Sequence, residues 1–179
     1  LTREGVFGAE QDLFRPSDMS AQHNIMLPFM RNAVGPADYT PMFSYRVSGS
    51  RRNYTVAHMS AQAVVYESGI QCLAARDTAY LPSVARDFFV DMPAGWDARV
   101  VLEADPGEYV SIARRNGDNW YVGAMTVAAQ DAVIPLSFLG DGEYYVSIFK
   151  DGEAYEDIQA EYRTATKADT LTIPMNATG

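Results

Sequence analysis

The spacing of hydrophobic and polar positions changes near residues 93–96, and this change divides the chain into two predicted parts. Before it, apolar residues recur at intervals of three and four, which predicts a helix over 56–75 with one apolar stripe. The stripe consists of Met59, Ala63, Tyr66, Ile70 and Leu73. A second, shorter helix is predicted over 82–90, with Pro82 in its first turn. The apolar stripe of the first helix must pack against another part of the protein.

After residue 97, short runs with period two alternate with turn signals, a pattern typical of antiparallel strands. Asn116-Gly117 separates two such runs, and it predicts a tight hairpin because both residues tolerate a positive φ. The strands are predicted over 100–103, 109–115, 120–127, 133–139, 144–148 and 171–175. The segment before the last strand is predicted to be a polar connection. The pattern favours a small antiparallel sandwich or Greek-key domain.

Charge and composition exclude several classes of function. The 179 residues carry 14 Lys and Arg against 23 Asp and Glu, so the net charge of -9 argues against nucleic acid or an anionic membrane as a partner. No apolar run approaches the ~18 residues of a membrane-spanning helix. The single cysteine, Cys72, cannot form an internal disulfide, and its apolar surroundings predict a buried side chain.

Two carboxylates near the start are the leading candidates for chemistry. Glu4 and Glu10 flank Gly5 and Gly8, so the intervening backbone can turn sharply and bring both side chains to one point. Converging carboxylates can hold a hard cation or transfer a proton. The alternative is that both are solvated surface charges. The sequence holds no zinc-protease motif, no glycine-rich phosphate loop and no Gly-x-Ser-x-Gly motif.

The remaining polar candidates have a structural alternative that is at least as strong. His23 and His58 could contact a ligand, but a buried histidine bonded to a backbone group explains each of them as well. Asp38 suits an Asx-turn as much as a site. The aromatic residues of the second part could form a sugar-stacking platform, or they could pack in the core. They are Trp96, Tyr109, Trp120, Tyr121, Tyr144 and Tyr145.

A series of motifs, in order, resembles glycoside hydrolase family 97, whose members are α-glucosidases and α-galactosidases. The first motifs are the run 2–10, then His23-Asn24 with 27–31, then 35–41. They are followed by 66–68 with 71–73, Pro93 with Trp96-Asp97, 107–110, 112–115 and 120–123. The similarity extends over nearly the whole chain up to about Gly152. Met30 and Ala37 depart from the family pattern, and we expect these departures to affect sugar contacts at most.

The resemblance implies a fold in which an N-terminal β-super-sandwich and a (β/α)8 barrel precede a C-terminal β-domain. A complete barrel needs about 250 residues. We therefore expect α/β structure over residues 1–92, the end of the catalytic barrel, and an antiparallel β-sandwich over 93–179. The partners implied are an α-linked oligosaccharide and the missing super-sandwich and barrel segments. The isolated chain is expected to be inactive.

Two site residues carry over from the resemblance. Glu4 falls at the position of a calcium ligand, and Glu10 falls at the position of the general acid, whose carboxylate also contacts Ca²⁺. Calcium takes six to eight oxygens, so these two residues supply only part of its ligands. The base or nucleophile lies upstream, which leaves inversion and retention open. The family also implies the periplasm. The alternative function is a non-catalytic module that binds carbohydrate or braces a partner.

Overall fold

The computed structural model describes residues 20–40, 46–47, 50–51, 53–73 and 83–179. Its first half is mainly helical. The helices are α1 (Ala21–Met30), a 3-10 turn (Asn32–Val34), α2 (Val56–Val65) and α3 (Arg86–Val90). Four short strands lie among them: β1 (Asp38–Tyr39), β2 (Arg46–Val47), β3 (Ser50–Arg51) and β4 (Ile70–Gln71).

The two longer helices begin at hydroxyl N-caps. The Ser20 hydroxyl accepts a hydrogen bond from the His23 backbone N–H at 3.1 Å, and the Thr55 hydroxyl accepts one from His58 at 3.1 Å. Each bond satisfies an amide that has no partner within its own helix. These caps fix where α1 and α2 start.

Helix α2 is ten residues long, half the length that the apolar spacing predicts. It ends at Val65, because Tyr66 is extended with ψ 140° and the chain then enters β4. Tyr66 is buried, as predicted, but Ile70 and Leu73 are 50% and 40% exposed. The prediction for 56–75 was wrong at its end because pairing of β4 with β1 replaces the last helical turns. Helix α3 likewise begins at Arg86, later than predicted.

The second half of the chain forms seven strands. They are β5 (Ala98–Asp105), β6 (Tyr109–Asn116), β7 (Asn119–Thr126), β8 (Gln130–Pro135), β9 (Tyr144–Asp151), β10 (Ile158–Ala165) and β11 (Thr170–Met175). Strands β5, β6 and β7 form one antiparallel sheet, β8 pairs with β11, and β9 pairs with β10. The predicted hairpin is confirmed, since Asn116 pairs with Asn119 and Gly117 has φ +57°. The predicted polar connection was wrong where β10 lies.

The β5–β7 sheet forms the middle of three layers. One face packs against α1 and α2 around Ile25, Val65, Tyr66, Val110, Ile112 and Met125. The other face packs against β8–β11 and β9–β10 around Tyr109, Ile134, Leu136, Ile148 and Leu171. A smaller cluster of Tyr54, Val56 and Met59 joins the start of α2 to Tyr155 and Ile158. Apolar contacts therefore cover both faces of β6 and β7, whereas most of β5 is exposed.

Gly123 of β7 lets α2 approach the sheet closely. A Cβ atom there would lie 2.8 Å from the Ala61 carbonyl oxygen and 2.9 Å from the Val65 side chain. Both atoms belong to α2, so any larger residue would push the helix away. The distance between helix and sheet thus depends on a residue without a side chain.

The antiparallel β-domain expected after residue 93 is confirmed, whereas the described residues form no barrel. They contain one parallel pair, β1 with β4, in which Asp38 pairs with Ile70 and Tyr39 with Gln71. Helix α2 lies between these two strands in the sequence. Within the described ranges, no helix is long and apolar enough to cross a membrane.

Candidate functional site

The two predicted site residues, Glu4 and Glu10, lie outside the described residues. Among the residues that are described, no group of three or more His, Cys, Asp or Glu side chains could hold a metal ion. The described part of the chain therefore adds no second candidate for the Ca²⁺ position. What it shows is how the helical half is joined to the β-domain.

A buried histidine is the centre of this junction. His58 of α2 is fully buried, and its Nδ1 lies 3.0 Å from the Gly179 carbonyl oxygen. Its Nε2 lies 3.2 Å from Nδ2 of Asn24 in α1. A neutral imidazole with its proton on Nδ1 donates to Gly179 and accepts from Asn24, so both ring nitrogens are satisfied. The Gly179 oxygen also accepts from the Thr126 backbone N–H of β7 at 2.7 Å.

The hydrogen bonds continue from this histidine to β1. The Tyr66 hydroxyl donates to the Asn24 carbonyl oxygen at 3.0 Å and accepts from Nε2 of Gln62 at 3.3 Å. The Tyr39 hydroxyl donates to Oε1 of Gln62. One chain of buried polar groups thus runs from strand β1 through α2 and α1 to the β5–β7 sheet.

Burial sets the protonation state of His58. Loss of water around the ring lowers the pKa of His58 to about 4, although its hydrogen bond to the Gly179 carbonyl acts in the opposite direction. The tilted ring of Tyr54, 5.0 Å away, adds an aromatic neighbour without charge. The imidazole is therefore neutral at pH 7, and it links α2 to Asn24 of α1 and to Gly179. This agrees with the alternative that His58 is a buried histidine bonded to a backbone group.

A second junction is built on a buried arginine. Arg114 of β6 is 4% exposed, and its Nη2 donates to the Val65 carbonyl oxygen at the end of α2, 3.0 Å away. Its guanidinium lies 5.9 Å from the centre of the Trp96 ring. The Nε–H is buried and has no hydrogen-bond partner. This arginine caps a helix carbonyl from the sheet, which a lysine could not do with the same geometry.

Glu67 balances two arginines that face each other across β5 and β6. Arg99 pairs directly with Arg114 in the strand register. Oε2 of Glu67 lies 2.8 Å from Arg99 and 4.0 Å from Arg114. Burial lowers the pKa of Arg114, and the Glu67 carboxylate opposes that change. Without Glu67, the like charges of the two arginines would repel.

These residues line an open groove of about 380 Å³ between the helical half and the β-domain. Trp96 is in the groove, but its ring lies next to the Arg114 guanidinium and forms a T-shaped pair with Tyr121, whose ring centroid is 5.4 Å away. Trp96 was a candidate for stacking on sugar, but its ring is next to protein side chains instead.

The other aromatic candidates for sugar stacking differ in how deeply they are buried. Tyr109 is buried, and Trp120 packs on Phe138 with ring centres 4.8 Å apart, so both belong to the core of the β-domain. Tyr145 is different, because it is 72% exposed and stacks on Tyr162 of β10. Most of these aromatic residues therefore pack within the protein, and Tyr145 is the exception.

Three further candidates turn out to be structural or exposed. The backbone N–H of His23 donates to the N-cap of α1, and partial burial lowers the pKa of its ring. Asp38 is half-buried and starts the pairing of β1 with β4. Cys72 is exposed, so the prediction of a buried side chain was wrong. Because α2 ends at Val65, Cys72 follows β4 instead of lying on a helix.

The comparisons with known proteins match this architecture. A family model described as "Glycosyl-hydrolase 97 C-terminal, oligomerisation" matches residues 95–179, the stretch that contains strands β5 to β11. The chain belongs to glycoside hydrolase family 97. The resemblance seen in the motifs is thereby confirmed, and the chain corresponds to the C-terminal portion of the family's proteins.

Two family relatives extend the similarity to the residues before 95. A probable retaining α-galactosidase of Streptomyces bingchenggensis is 35% identical over 181 residues, which covers 100% of this chain and 27% of the relative. A retaining α-galactosidase of Bacteroides thetaiotaomicron is 36% identical over 85% of this chain and 25% of the relative. The chain thus spans about a quarter of the length of the curated relatives it matches.

Solved structures agree with the fold over the full length of the chain. A family 97 enzyme from Pseudoalteromonas sp. strain K8, in complex with acarbose, has a TM-score of 0.90 and 31% identity. It covers 100% of this chain, which corresponds to 30% of that protein. A β-arabinopyranosidase, at 22% identity and a TM-score of 0.81, shares the fold alone.

Sequence reasoning missed the residues that join the two halves. Glu67 and Arg114 lie within motifs that carry the family 97 resemblance, but nothing in their spacing shows that they meet. The sequence feature that comes closest to revealing the junction is Arg114, because it is a charged residue within a run that alternates like a half-buried strand. A buried arginine needs partners, and only the fold supplies Val65 and Glu67.

Proposed function

We propose that this chain is the C-terminal part of a retaining α-galactoside hydrolase. The observation that carries the proposal is identity of 35% over 100% of the chain with a probable retaining α-galactosidase. That similarity includes the segment before residue 95, which lies outside the match to the C-terminal family model. The relatives are about four times longer, so the remaining segments would come from the same type of protein.

Within this hydrolase, Glu10 is the proposed general acid. A protonated glutamic acid can donate its proton to the glycosidic oxygen as the bond to the leaving group breaks through an oxocarbenium-like transition state. The support for this role is the position of Glu10 in the motif over residues 2–10, six residues after Glu4. The nucleophile that retention requires would come from a segment upstream.

Glu4 and Glu10 are the residues of this chain proposed to hold Ca²⁺. Carboxylate oxygens are the donors that this ion prefers, so the residue types fit, and together the two side chains offer at most four of the six to eight oxygens. Other ligands would come from upstream segments. When bound, calcium would supply positive charge next to the reacting sugar.

For the residues that the structure describes, we propose a bracing and assembly role. The (β/α)8 part is proposed to end within residues 1–92, and the β-domain to occupy 93–179. The support for this boundary is the similarity of the residues before 95 to the Streptomyces relative, since that segment lies outside the match to the C-terminal family model. The His58 and Arg114 junctions would then hold the last barrel elements onto the β-domain.

The test uses a chimera in which this chain replaces the matching C-terminal segment of the Streptomyces relative. We expect the chimera to hydrolyse a nitrophenyl α-galactoside much faster than the matching α-glucoside. Hydrolysis of the glucoside alone would overturn the proposed sugar. An inactive chimera that is folded by circular dichroism would argue against the role of the chain in this hydrolase.

In the same chimera, Glu10→Gln tests the general acid. We expect a loss of about 10²- to 10⁴-fold in kcat/KM on an unactivated α-galactoside and a much smaller loss on the nitrophenyl substrate, whose leaving group needs no proton. Glu143→Gln is the matched control, since Glu143 is exposed in the connection before β9. Equal losses on both substrates would contradict the acid role.

Calcium is tested with Glu4→Gln. We expect this variant to need more added Ca²⁺ than the parent chimera to regain thermal stability after treatment with a chelator, because one ligand is lost. Identical calcium dependence in the two proteins would contradict the assignment.

The proposed location of the hydrolase is the periplasm, on the basis of the family resemblance. Retention of the protein in the cytoplasmic fraction of its host would argue against that location.

A further inference from the structure

Two tyrosines of the β-domain lie uncovered on the outer face of the hairpin β9–β10. Tyr145 is 72% exposed and Tyr162 is 54% exposed. In the register of the two strands, Tyr145 lies opposite Thr164. Tyr162 lies opposite Ser147, so the two rings are diagonal neighbours on one face of the hairpin. Ile148 packs into the core, and because side chains alternate along a strand, the tyrosine face is turned toward solvent.

The two rings stack in a displaced arrangement that leaves their faces largely open. Their planes differ by 18°, and their centroids lie 6.1 Å apart. Carbon atoms in full face-to-face contact would be about 3.5–4.0 Å apart, so the rings do not cover each other. The large exposed fractions of both side chains agree with this geometry. Two open aromatic faces of nearly the same orientation therefore lie next to each other on the sheet.

The backbone beneath the tyrosine pair is held by the rest of the β-domain. Strands β9 and β10 pair over eight consecutive positions, and Ile148 and Ala165 are buried in the core on the inner side. At the other end of the outer face, Phe88 of α3 packs against Phe149 with ring centres 5.9 Å apart. The pair is thus largely ordered before any ligand arrives, which lowers the entropic cost of binding.

Four hydroxyl groups lie at this pair. Besides the two phenols, Ser147 and Thr164 are exposed on the same face. Within the part of the chain that the structure describes, none of these four side chains makes a hydrogen bond. Each hydroxyl can both donate and accept. They can therefore bind a ligand that itself carries many hydroxyls.

Charged groups lie away from the two rings. Glu161 and Arg163 flank Tyr162 in the sequence, but alternation places both on the opposite face of the hairpin. There Glu161 forms an ion pair at 2.9 Å with a lysine of β9. The tyrosine face of the hairpin carries Asp151, which is six positions from Tyr145, or about 20 Å along the strand. A neutral ligand on the rings thus does not strip water from a charge.

We propose that Tyr145 and Tyr162 form a binding platform for the α-galactosyl groups of an oligosaccharide or polysaccharide. The axial hydroxyl of galactose leaves one face of the sugar ring with C–H groups alone, and this face can pack on an open aromatic ring. The sugar hydroxyls can then bond to Ser147 and Thr164. The choice of galactose rests on the proposed function. Such a platform would raise the concentration of α-galactosyl groups close to the hydrolase.

The test is native electrophoresis of the 179-residue chain in gels with and without galactomannan, a polysaccharide with α-galactosyl side groups. We expect galactomannan to retard the chain. Tyr145→Ala with Tyr162→Ala should weaken binding by about tenfold, because two stacking contacts are lost. Tyr145→Phe with Tyr162→Phe keeps both rings and should keep most of the retardation. The matched control is Val101→Ala on β5, since Val101 is 57% exposed.

Each outcome bears on the platform. Retardation that the double alanine variant loses and Val101→Ala keeps supports it. A chain that galactomannan does not retard overturns it, as does a double alanine variant that is retarded as strongly as the unmodified chain. Equal retardation by dextran, a polysaccharide of α-glucose, overturns the choice of galactose. Should the double alanine variant misfold, the unmodified chain is titrated by NMR with raffinose, a trisaccharide that ends in α-galactose. Raffinose must shift the ring signals of both tyrosines, and unchanged signals overturn the platform.

Failure of the platform and failure of the proposed hydrolase are distinguishable. A chimera that hydrolyses the nitrophenyl α-galactoside, together with a chain that galactomannan does not retard, overturns the platform alone. A folded but inactive chimera contradicts the hydrolase, while retardation of the chain by galactomannan would still support the platform.

Discussion

The two faces of the β5–β7 sheet are covered by different kinds of contact. Toward the helices, apolar packing is combined with buried polar links, namely His58 to Gly179 and Arg114 to Val65. Toward β8–β11 and β9–β10, the core is made almost wholly of aliphatic and aromatic side chains such as Ile134, Ile148 and Leu171. The helix side joins two parts of the protein, and the strand side closes the β-domain.

This difference has a physical consequence. Apolar contacts stabilise in proportion to the area they bury but specify orientation weakly. A buried hydrogen bond is satisfied in one arrangement only, and breaking it leaves an unpaired polar group in a dry environment. We therefore expect the helix side to be sensitive to pH and to small shifts in position, and the strand side to respond mainly to lost volume.

The largest expected effect is that acid destabilises the junction between the helices and the sheet. The pKa of His58 is about 4 in the folded chain, against 6.5 for a histidine in water, so below about pH 6.5 the unfolded chain takes up a proton that the folded chain excludes. The contribution of neutral His58 to the free energy of unfolding is fully present above that pH. It falls by about 3 kcal/mol as the pH drops toward 4. Urea unfolding between pH 7.5 and 4.5 measures the loss.

The control for this prediction uses the other histidine. The chain has two, and His23 is only half-buried, so His23→Gln should keep most of the pH dependence. An NMR titration identifies the group directly, since the His58 ring signals should not move until the pH is well below 6. A His58 ring that titrates near pH 6.5 would remove the contrast between the two faces.

The next effect tests the close approach of α2 to the sheet. Gly123→Ala inserts a methyl group 2.8 Å from the Ala61 carbonyl oxygen, and we expect it to lower the free energy of unfolding by about 2 kcal/mol. Gly69→Ala is the matched control, because a Cβ at Gly69 meets no atom within 4 Å. Equal stability of the two variants, measured by urea unfolding, would show that the helix can move away without loss.

The smallest effect belongs to the strand side. Ile134→Val removes one buried methylene from the apolar core and should lower the free energy of unfolding by about 1 kcal/mol. The change should be the same at pH 7.5 and 5, in contrast to the helix side. Val133→Ala, at the half-exposed neighbouring position, should change stability by less than about 0.5 kcal/mol. A strong pH dependence for Ile134→Val would contradict the division of the two faces.

The sequence predicted local structure best where local signals decide it. The Asn116-Gly117 hairpin and most of the strands after residue 97 follow from turn residues and alternation, and they are confirmed. Strand β10 was missed because its inward residues are charged, which hides the alternation. The length of α2 was misjudged because residues 66–73 keep a helical spacing, although Ile70 and Gln71 pair with β1. The roles of Glu4 and Glu10 and the Ca²⁺ position stay predictions.

By itself, the sequence determined the family, the antiparallel β-domain after residue 93 and the excess of negative charge. These depend on motifs, on periods of two and on composition, all of which are local or additive. Only the tertiary structure decided that His58 meets Gly179, that Arg114 meets Val65 and that Tyr145 stacks on Tyr162. Such contacts join residues that lie 17 to 121 positions apart, and what each costs or contributes depends on burial, which no stretch of sequence specifies on its own.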